Sequence, residues 1–230
     1  MEIHVKDNPA KALGERITSV INEHEGDVLC FLSGGSALAV VEYIQPMYRS
    51  ECRTIFMMGD ERVSGAPTAN NYLQLANRYL GFRILDHTID TSIQPDEHVK
   101  EFAKRMNTEV ETTISTANNL KIITILGVGE DGHVAGIFPM ERSDFQDTYQ
   151  SDQMYVPVRL DRLEFNFRAS LTPEFILNKV SELFVYAAGE SKTDMLYFLI
   201  GDDKATHERP AELIKQHISA HVYTDQPIHS

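Results

Sequence analysis

The sequence is poor in cysteine, in basic residues and in long apolar runs. Its 230 residues include two cysteines, and 21 Lys and Arg stand against 34 Asp and Glu, so the formal net charge at pH 7 is −13. Cys30 and Cys52 are too few for a disulfide framework, which is typical of proteins from a reducing compartment. A chain this acidic is not expected to bind nucleic acid or an anionic membrane, because both require a basic face.

Neither a targeting segment nor a membrane span is evident. No apolar run approaches the length needed to cross a membrane, and residues 1–11 lack the apolar stretch of a signal peptide. A cytoplasmic protein is therefore expected. Apolar residues make up 42% of the chain and charged residues 24%, which excludes a disordered or collagen-like chain. Either a monomer or a small homo-oligomer is compatible with these values.

Short apolar runs alternate with amphipathic segments along the whole chain. Strands are predicted near residues 28–32, 55–58, 122–126, 154–158, 183–187 and 221–223, and helices near 9–21, 36–47, 70–80, 95–115, 190–199, after Thr172-Pro173 and after Pro210. The polar stretch 141–152 is predicted to be an irregular loop. This alternation predicts a single α/β domain over residues 1–230, Rossmann-like, with a mostly parallel sheet and helices on both faces.

Three predicted strands end in polar, glycine-rich turns. These turns are Ser33-Gly34-Gly35-Ser36, the segment 59–62 (GDER) and the segment 127–133 (GVGEDGH). In open parallel sheets, ligands bind beyond the carboxyl ends of the strands. If the three strands are neighbours, the turns therefore build one pocket.

The first turn offers backbone N–H groups, two hydroxyls and a helix N-terminus, which suit a phosphate. A tight connection without a ligand is the more common role of such a turn. The turn is neither a P-loop nor a dinucleotide-binding fingerprint, because the spacing of each is missing. Arg62, Arg168 and Lys192 are candidate phosphate ligands, and surface charges are the alternative for each.

The third turn contains Asp131 and His133 on either side of a glycine. A histidine of near-neutral pKa can take a proton from water or a sugar hydroxyl, and a carboxylate can orient it. Alternatively, Asp131 caps a helix and His133 is a hydrogen-bonded loop residue. Asp60, at the end of the neighbouring strand, is either a third member of this group or a cap or turn residue.

The sequence indicates neither a metal site nor a serine-hydrolase site. The nine histidines are scattered, and the H-E-x-x-H pattern and the G-x-S-x-G elbow are both missing. No metal and no cofactor are therefore expected.

The turns belong to a longer ordered set of motifs that covers nearly the whole chain. The motifs are FLSGGSA (31–37), GDERV (59–63), NNY (70–72), LGVGEDGHVAGIFP (126–139), RASLT (168–172), GESK (189–192) and RPAELI (209–214). In order and spacing they resemble the glucosamine-6-phosphate isomerase/6-phosphogluconolactonase superfamily. In the deaminase branch a glutamate lies five positions after the histidine, whereas this chain has Phe138, so the resemblance favours the lactonase branch.

The resemblance implies hydrolysis of 6-phospho-D-glucono-1,5-lactone to 6-phosphogluconate, with a small sugar phosphate as the binding partner. His133 would be the general base, Asp131 would orient it, and Asp60 would hold sugar hydroxyls or the surroundings of the histidine. The implied substrate and phosphate ligands are Ser33, Gly34, Gly35, Ser36, Arg62, Arg168 and Lys192. Two alternatives stay open: a deaminase or isomerase of an amino-sugar phosphate, and a non-catalytic sugar-phosphate binder.

Overall fold

A computed structural model describes residues 1–78, 82–161 and 165–228. The strands are β1 (Glu2–Val5), β2 (Val28–Leu32), β3 (Thr54–Met58), β4 (Asp60–Arg62), β5 (Lys121–Gly127), β6 (Tyr155–Arg159), β7 (Phe167–Leu171), β8 (Glu182–Tyr186) and β9 (Ala220–Thr224). The α-helices are α1 (Pro9–Glu23), α2 (Asn71–Arg78), α3 (Val99–Thr116), α4 (Arg142–Tyr149), α5 (Pro173–Lys179), α6 (Thr193–Gly201) and α7 (Glu212–Gln216). Three 3₁₀ helices span Gly35–Tyr43, Arg83–His87 and Glu190–Lys192.

The central sheet has six parallel strands in the order β1-β9-β8-β5-β2-β3. Side chains of β2 alternate between two cores: Leu29 and Phe31 lie in one, and Val28, Cys30 and Leu32 in the other. Helices α3, α5, α6 and α7 contribute to the first core, and α1 with the 3₁₀ helix Gly35–Tyr43 contributes to the second. The predicted α/β class, with helices on both faces of a mostly parallel sheet, is confirmed.

A second, antiparallel sheet has the order β4-β7-β6. Gly59 joins the two sheets, because its N–H donates to Leu32 O at 2.7 Å and its carbonyl accepts from Leu171 N–H at 2.9 Å. The prediction of a turn at residues 59–62 was therefore wrong: after Gly59 the chain continues as β4 and carries Asp60 and Arg62 into the second sheet. Strands β1 and β7 were not predicted.

Two predictions need correction, an irregular loop over residues 141–152 and an α-helix over residues 36–47. The stretch 141–152 contains helix α4, in which Tyr149 is the buried residue, so the apolar periodicity that reveals a helix is missing. The helix predicted over 36–47 is a 3₁₀ helix over Gly35–Tyr43. The end of the helix predicted over 70–80, with its stop at Gly81, lies outside the described residues.

The starts of two helices were predicted correctly from their N-terminal capping residues. Asn8 caps α1, and its Oδ1 accepts from Lys11 N–H at 3.0 Å. Thr172 caps α5, and its hydroxyl accepts from Phe175 N–H at 3.2 Å. None of the helices in the described part of the chain is long and apolar enough to span a membrane.

Candidate functional site

The candidate site lies where the strand order of the parallel sheet reverses. Strand β2 has β3 on one side and β5 on the other, so a crevice forms beyond the carboxyl ends of β2 and β5. A cleft of about 160 Å³ occupies this position. It is lined by nine of the residues singled out from the sequence, namely Ser33, Gly34, Gly35, Ser36, Asp60, Arg62, His133, Arg168 and Lys192.

The glycine turn after β2 forms one wall of the cleft. Gly35 has a φ of 62°, a left-handed conformation that favours glycine. Gly34 lies against the side-chain amide of Asn71, and a Cβ at this position would overlap that amide. Ser33 is buried, and its hydroxyl accepts from Gly127 N–H at 3.2 Å, so this hydroxyl connects the turns that follow β2 and β5.

The turn after β5 presents His133 together with Asp131. Oδ1 of Asp131 lies 2.5 Å from Nδ1 of His133 and accepts the backbone N–H of the same histidine at 3.1 Å. A carboxylate at Nδ1 favours the tautomer with its proton there and leaves Nε2 as the acceptor. Burial raises the pKa of Asp131, but the hydrogen bonds and charge of His133 hold it below its usual value.

Glycines and an aromatic ring fix the position of the imidazole. A Cβ on Gly129 would overlap the ring of His133, and Gly129 N–H donates to His133 O at 2.8 Å. The His133 ring stacks on Phe138, with ring centroids 4.5 Å apart and an angle of 17° between the planes. Residues 128–141 contain no helix, since α4 begins at Arg142, so Asp131 caps no helix, and its carboxylate is instead hydrogen-bonded to His133.

The second sheet supplies the charged wall. Across the β4–β7 pair, Arg62 lies opposite Arg168 and Asp60 lies opposite Ser170. Burial raises the pKa of Asp60, and the charges of Arg168, Arg62 and His133 oppose that rise. Burial lowers the pKa of Arg168, which is 8% exposed, while Asp60 raises it. The carboxylate of Asp60 therefore offsets part of the positive charge of the half-buried Arg62 and the buried Arg168.

Three buried polar atoms around this wall are unsatisfied. Among the described residues, Nε of Arg62, Nε of Arg168 and Oδ1 of Asn71 have no hydrogen-bond partner. Buried polar groups in folded proteins are usually paired, so such a group calls for an explanation. Two guanidinium donors and one amide acceptor beside the same cleft can bind a ligand that carries both an anionic group and hydroxyls.

Lys192 reaches the cleft from the end of β8. It closes the 3₁₀ turn Glu190–Lys192, which follows Gly189 with its φ of 96°. Gly189 N–H donates to Asp225 Oδ1 at 2.8 Å, so the end of β9 holds this turn in place. Four strand ends, those of β2, β3, β5 and β8, thus deliver residues to one place.

Sequence reasoning missed the residues that hold the site together. Glu61 is buried, and its carboxylate accepts the N–H groups of Asn71 at 2.5 Å and Tyr72 at 2.9 Å, which attaches β4 to the start of α2. Burial raises the pKa of Glu61 to about 8, although these N–H groups lower it. The Ser170 hydroxyl accepts from Gly136 N–H at 3.0 Å and holds the segment after His133 against β7. Asn71 lies in the NNY motif, but the motif alone does not indicate what this side chain contacts.

A family model described as glucosamine-6-phosphate isomerases/6-phosphogluconolactonase matches residues 4–223. The chain belongs to this family. It is 24% identical over 186 residues to the 6-phosphogluconolactonase of Borreliella burgdorferi, with 75% of this chain and 72% of that protein covered.

Two solved structures show the same fold. A 6-phosphogluconolactonase from Shewanella baltica gives a TM-score of 0.76 at 18% identity, covering 97% of this chain and 96% of the other. A monomeric glucosamine-6-phosphate deaminase gives a TM-score of 0.75 at 13% identity, covering 98% of each chain. Since both branches share the fold, the overall architecture does not distinguish their activities, and side chains of the cleft must do so.

Proposed function

We propose that this chain hydrolyses 6-phospho-D-glucono-1,5-lactone to 6-phosphogluconate. The observation that carries the proposal is that His133, which is paired with Asp131, lines the same cleft as Arg62, Arg168 and Lys192. Hydrolysis of a phosphorylated lactone requires both the base and the group of cations. Its carbonyl needs a base that activates water, and its phosphate needs cationic ligands at a fixed distance from that base.

His133 acts as the general base. Its Nε2 takes a proton from water while the water oxygen attacks the lactone carbonyl carbon, which produces a tetrahedral intermediate. The bond between this carbon and the ring oxygen then breaks, and the ring oxygen takes the proton from the imidazolium. The resulting carboxylic acid loses its proton to solvent. Asp131 stabilises the imidazolium and holds the tautomer that leaves Nε2 free.

The arginines and Lys192 bind the phosphate, assisted by the turn Gly34–Ser36. Charge-assisted hydrogen bonds from guanidinium groups to phosphate are about twice as strong as neutral ones. They would satisfy the Nε atoms of Arg62 and Arg168, which lack partners among the described residues. Asp60 lies beside these cations, where its carboxylate suits a sugar hydroxyl or the surroundings of the imidazole.

Phe138 favours the lactonase over the deaminase alternative. Its ring is 4% exposed and stacks on His133, in the position where the deaminase branch carries a glutamate. An aromatic ring holds the imidazole but donates and accepts no proton, so position 138 does not supply the second acid–base group that the deaminase branch uses for ring opening of an amino sugar. Lactone hydrolysis needs one base and a water molecule, which His133 supplies.

The proposal is tested with freshly generated lactone in a coupled assay, corrected for spontaneous hydrolysis and run with and without a chelator. We expect chelator-resistant acceleration, and we expect His133→Ala to lower kcat by about 100-fold or more. His98→Ala is the matched control, because His98 is exposed, and this substitution should leave kcat unchanged. Wild-type turnover by His133→Ala would contradict the assigned base. A folded wild-type protein without activity would contradict the lactonase, and release of ammonia from glucosamine 6-phosphate would then identify the deaminase alternative.

A further inference from the structure

A cluster of two histidines and a glutamate lies outside the cleft, at the edge of the parallel sheet. Within residues 1–78, 82–161 and 165–228, Glu2, His4 and His221 form a group whose oxygen and nitrogen atoms all lie within 4.8 Å of one another. Glu2 and His4 lie on the edge strand β1, and His221 lies opposite Glu2 on β9. Since side chains of a strand alternate between faces, the three share one face of the sheet.

The distances among the three donor atoms match those around a tetrahedral metal ion. Nε2 of His4 lies 3.4 Å from Nδ1 of His221, and Oε2 of Glu2 lies 3.7 Å from the first nitrogen and 3.3 Å from the second. Ligands bound to zinc at about 2.0–2.1 Å in a tetrahedron are separated by about 3.3–3.4 Å. The donor set of two imidazoles and one carboxylate is one that Zn²⁺ accepts.

We propose that Glu2, His4 and His221 form a Zn²⁺ site that joins the first and last strands of the sheet. The carboxylate of Glu2 is 70% exposed, so the fourth position of the tetrahedron faces solvent and is available to water. The three side chains provide the first three ligands without rearrangement of the backbone.

Stacking and a hydrogen-bond contact hold the two imidazoles of the cluster in place. The ring of His4 stacks on Tyr223 at 4.6 Å, and Nε2 of His221 lies 3.3 Å from the hydroxyl of Ser219, so both rings have fixed orientations.

The cluster is separate from the proposed catalytic cleft. Strands β9 and β1 are two and three positions from β5 in the sheet, and at a strand spacing of about 4.8 Å this places the cluster roughly 10–14 Å from that strand. We therefore assign the ion a structural role, in which it connects β1 to β9. The sequence motifs indicate no metal site because residues 2, 4 and 221 come together only through the pairing of strands from opposite ends of the chain.

The test is titration of the chelator-treated protein with Zn²⁺ alone, followed by calorimetry and by thermal unfolding. A His133→Ala background removes the histidine of the cleft as a competing ligand. We expect one Zn²⁺ per chain and a raised Tm.

His4→Ala and His221→Ala should each weaken Zn²⁺ binding by about 100-fold or more and abolish the shift in Tm, since even the loss of a group that only orients a ligand costs 10- to 100-fold in metal affinity. His98→Ala, the control, should bind as its parent does. Co²⁺ in place of Zn²⁺ should give the intense visible absorption of a four-coordinate site.

Glu2→Gln keeps the test decisive if a histidine variant folds poorly, because the Glu2 side chain is largely exposed and its replacement does not disturb the core. We expect this variant to weaken Zn²⁺ binding by about tenfold or more. Failure of the parent protein to bind Zn²⁺ would overturn the proposal. So would an unchanged Kd in Glu2→Gln or in either histidine variant, since this would show that Zn²⁺ binds elsewhere in the protein.

Discussion

Arg62 and Arg168 lie directly opposite each other on the neighbouring strands β4 and β7. Like charges in directly opposed positions destabilise a sheet. Arg168 is buried, and Nε of each arginine has no hydrogen-bond partner within the described part of the chain. Asp60 offsets only part of this charge, so the pair is better satisfied when an anion lies between the two side chains.

The first prediction follows from this opposition. Arg62→Met removes one of the facing charges and keeps much of the apolar stem. We expect KM for the phosphorylated lactone to rise by about 10- to 100-fold, with kcat little changed, because a hydrogen bond to a charged group contributes about 1.5–3 kcal/mol. The free energy of unfolding of the unliganded protein should rise by a few tenths to about 1 kcal/mol, because the repulsion is gone.

Steady-state kinetics and chemical denaturation measure both effects. Arg159→Met is the matched control, since the side chain of Arg159 is 68% exposed and lies in a surface pair with Asp161. In this control, both KM and the free energy of unfolding should stay close to their wild-type values. If Arg62→Met leaves KM at the wild-type value, Arg62 does not bind the phosphate.

The second prediction concerns the Asp131–His133 pair. Asp131→Asn removes the charge that fixes the imidazole tautomer, so we expect kcat to fall by at least about tenfold, and by less than in His133→Ala, where the base itself is lost. The two residues act as one unit. The double variant should therefore be no slower than His133→Ala alone. Measured kcat values for the three variants decide this, and losses that multiply would show that Asp131 acts independently of His133.

Five of the six strands of the parallel sheet could be predicted because they are largely buried on both faces, unlike the more exposed edge strand β1. Strand β2 is apolar at every position, and a short continuous apolar run that ends in a glycine turn is a strong signal. The second sheet lacks this signal. Strand β4 consists of Asp60, Glu61 and Arg62, whose burial depends on partners that are distant in sequence. Charged residues are rarely buried without such partners, so their strands are not recognised from local pattern.

The candidate site was predicted in part for a related reason. Residues at the ends of β2, β3 and β5 could be placed at one edge once a parallel sheet was expected. The contacts that hold these residues in place could not be predicted from the sequence. The carboxylate of Glu61 reaches the start of α2, and the hydroxyl of Ser170 reaches Gly136, and both contacts depend on how the two sheets pack.

The third prediction is a pH dependence of stability that arises far from the cleft. Burial raises the pKa of Asp27, but hydrogen bonds from Arg53 N–H at 2.7 Å, its guanidinium at 2.8 Å and Asn118 N–H at 3.1 Å bring it below the ordinary value of 3.8. The stabilisation is therefore fully present above the unfolded pKa of 3.8, and it is lost as the pH falls through the lower folded pKa.

Asp27→Asn should lower the free energy of unfolding at pH 7 by about 1.5–3 kcal/mol, since charge-assisted hydrogen bonds are lost. The difference from the wild type should shrink as the pH falls below about 4. Denaturant titrations over a pH series measure this difference. Asp161→Asn is the control, because that carboxylate is 71% exposed and should contribute less than about 1 kcal/mol at any pH. A difference between Asp27→Asn and the wild type that stays constant down to pH 2 would contradict the role given to the ionised carboxylate.

The fourth prediction tests the contact between the glycine turn and α2. A Cβ on Gly34 would come within 2.7 Å of Nδ2 of Asn71 and closer still to its Oδ1. Gly34→Ala must therefore displace the Asn71 amide, which donates to the carbonyl of Asp60 at 3.0 Å, and with it the wall that carries Asp60. We expect kcat/KM to fall by about 10- to 100-fold, since displacements of about 1 Å at an active site have effects of that size.

Removal of the opposing side chain should relieve part of this loss. In Gly34→Ala/Asn71→Ala the added methyl group has room, so the double variant should lose less than the product of the two single losses, as expected for residues in contact. Gly201→Ala is the matched control, because Gly201 has open space around its Cβ position and lies at the end of α6. It should keep the wild-type kcat/KM. Independent effects of the two substitutions would show that the tight packing of Gly34 against Asn71 does not control the shape of the cleft.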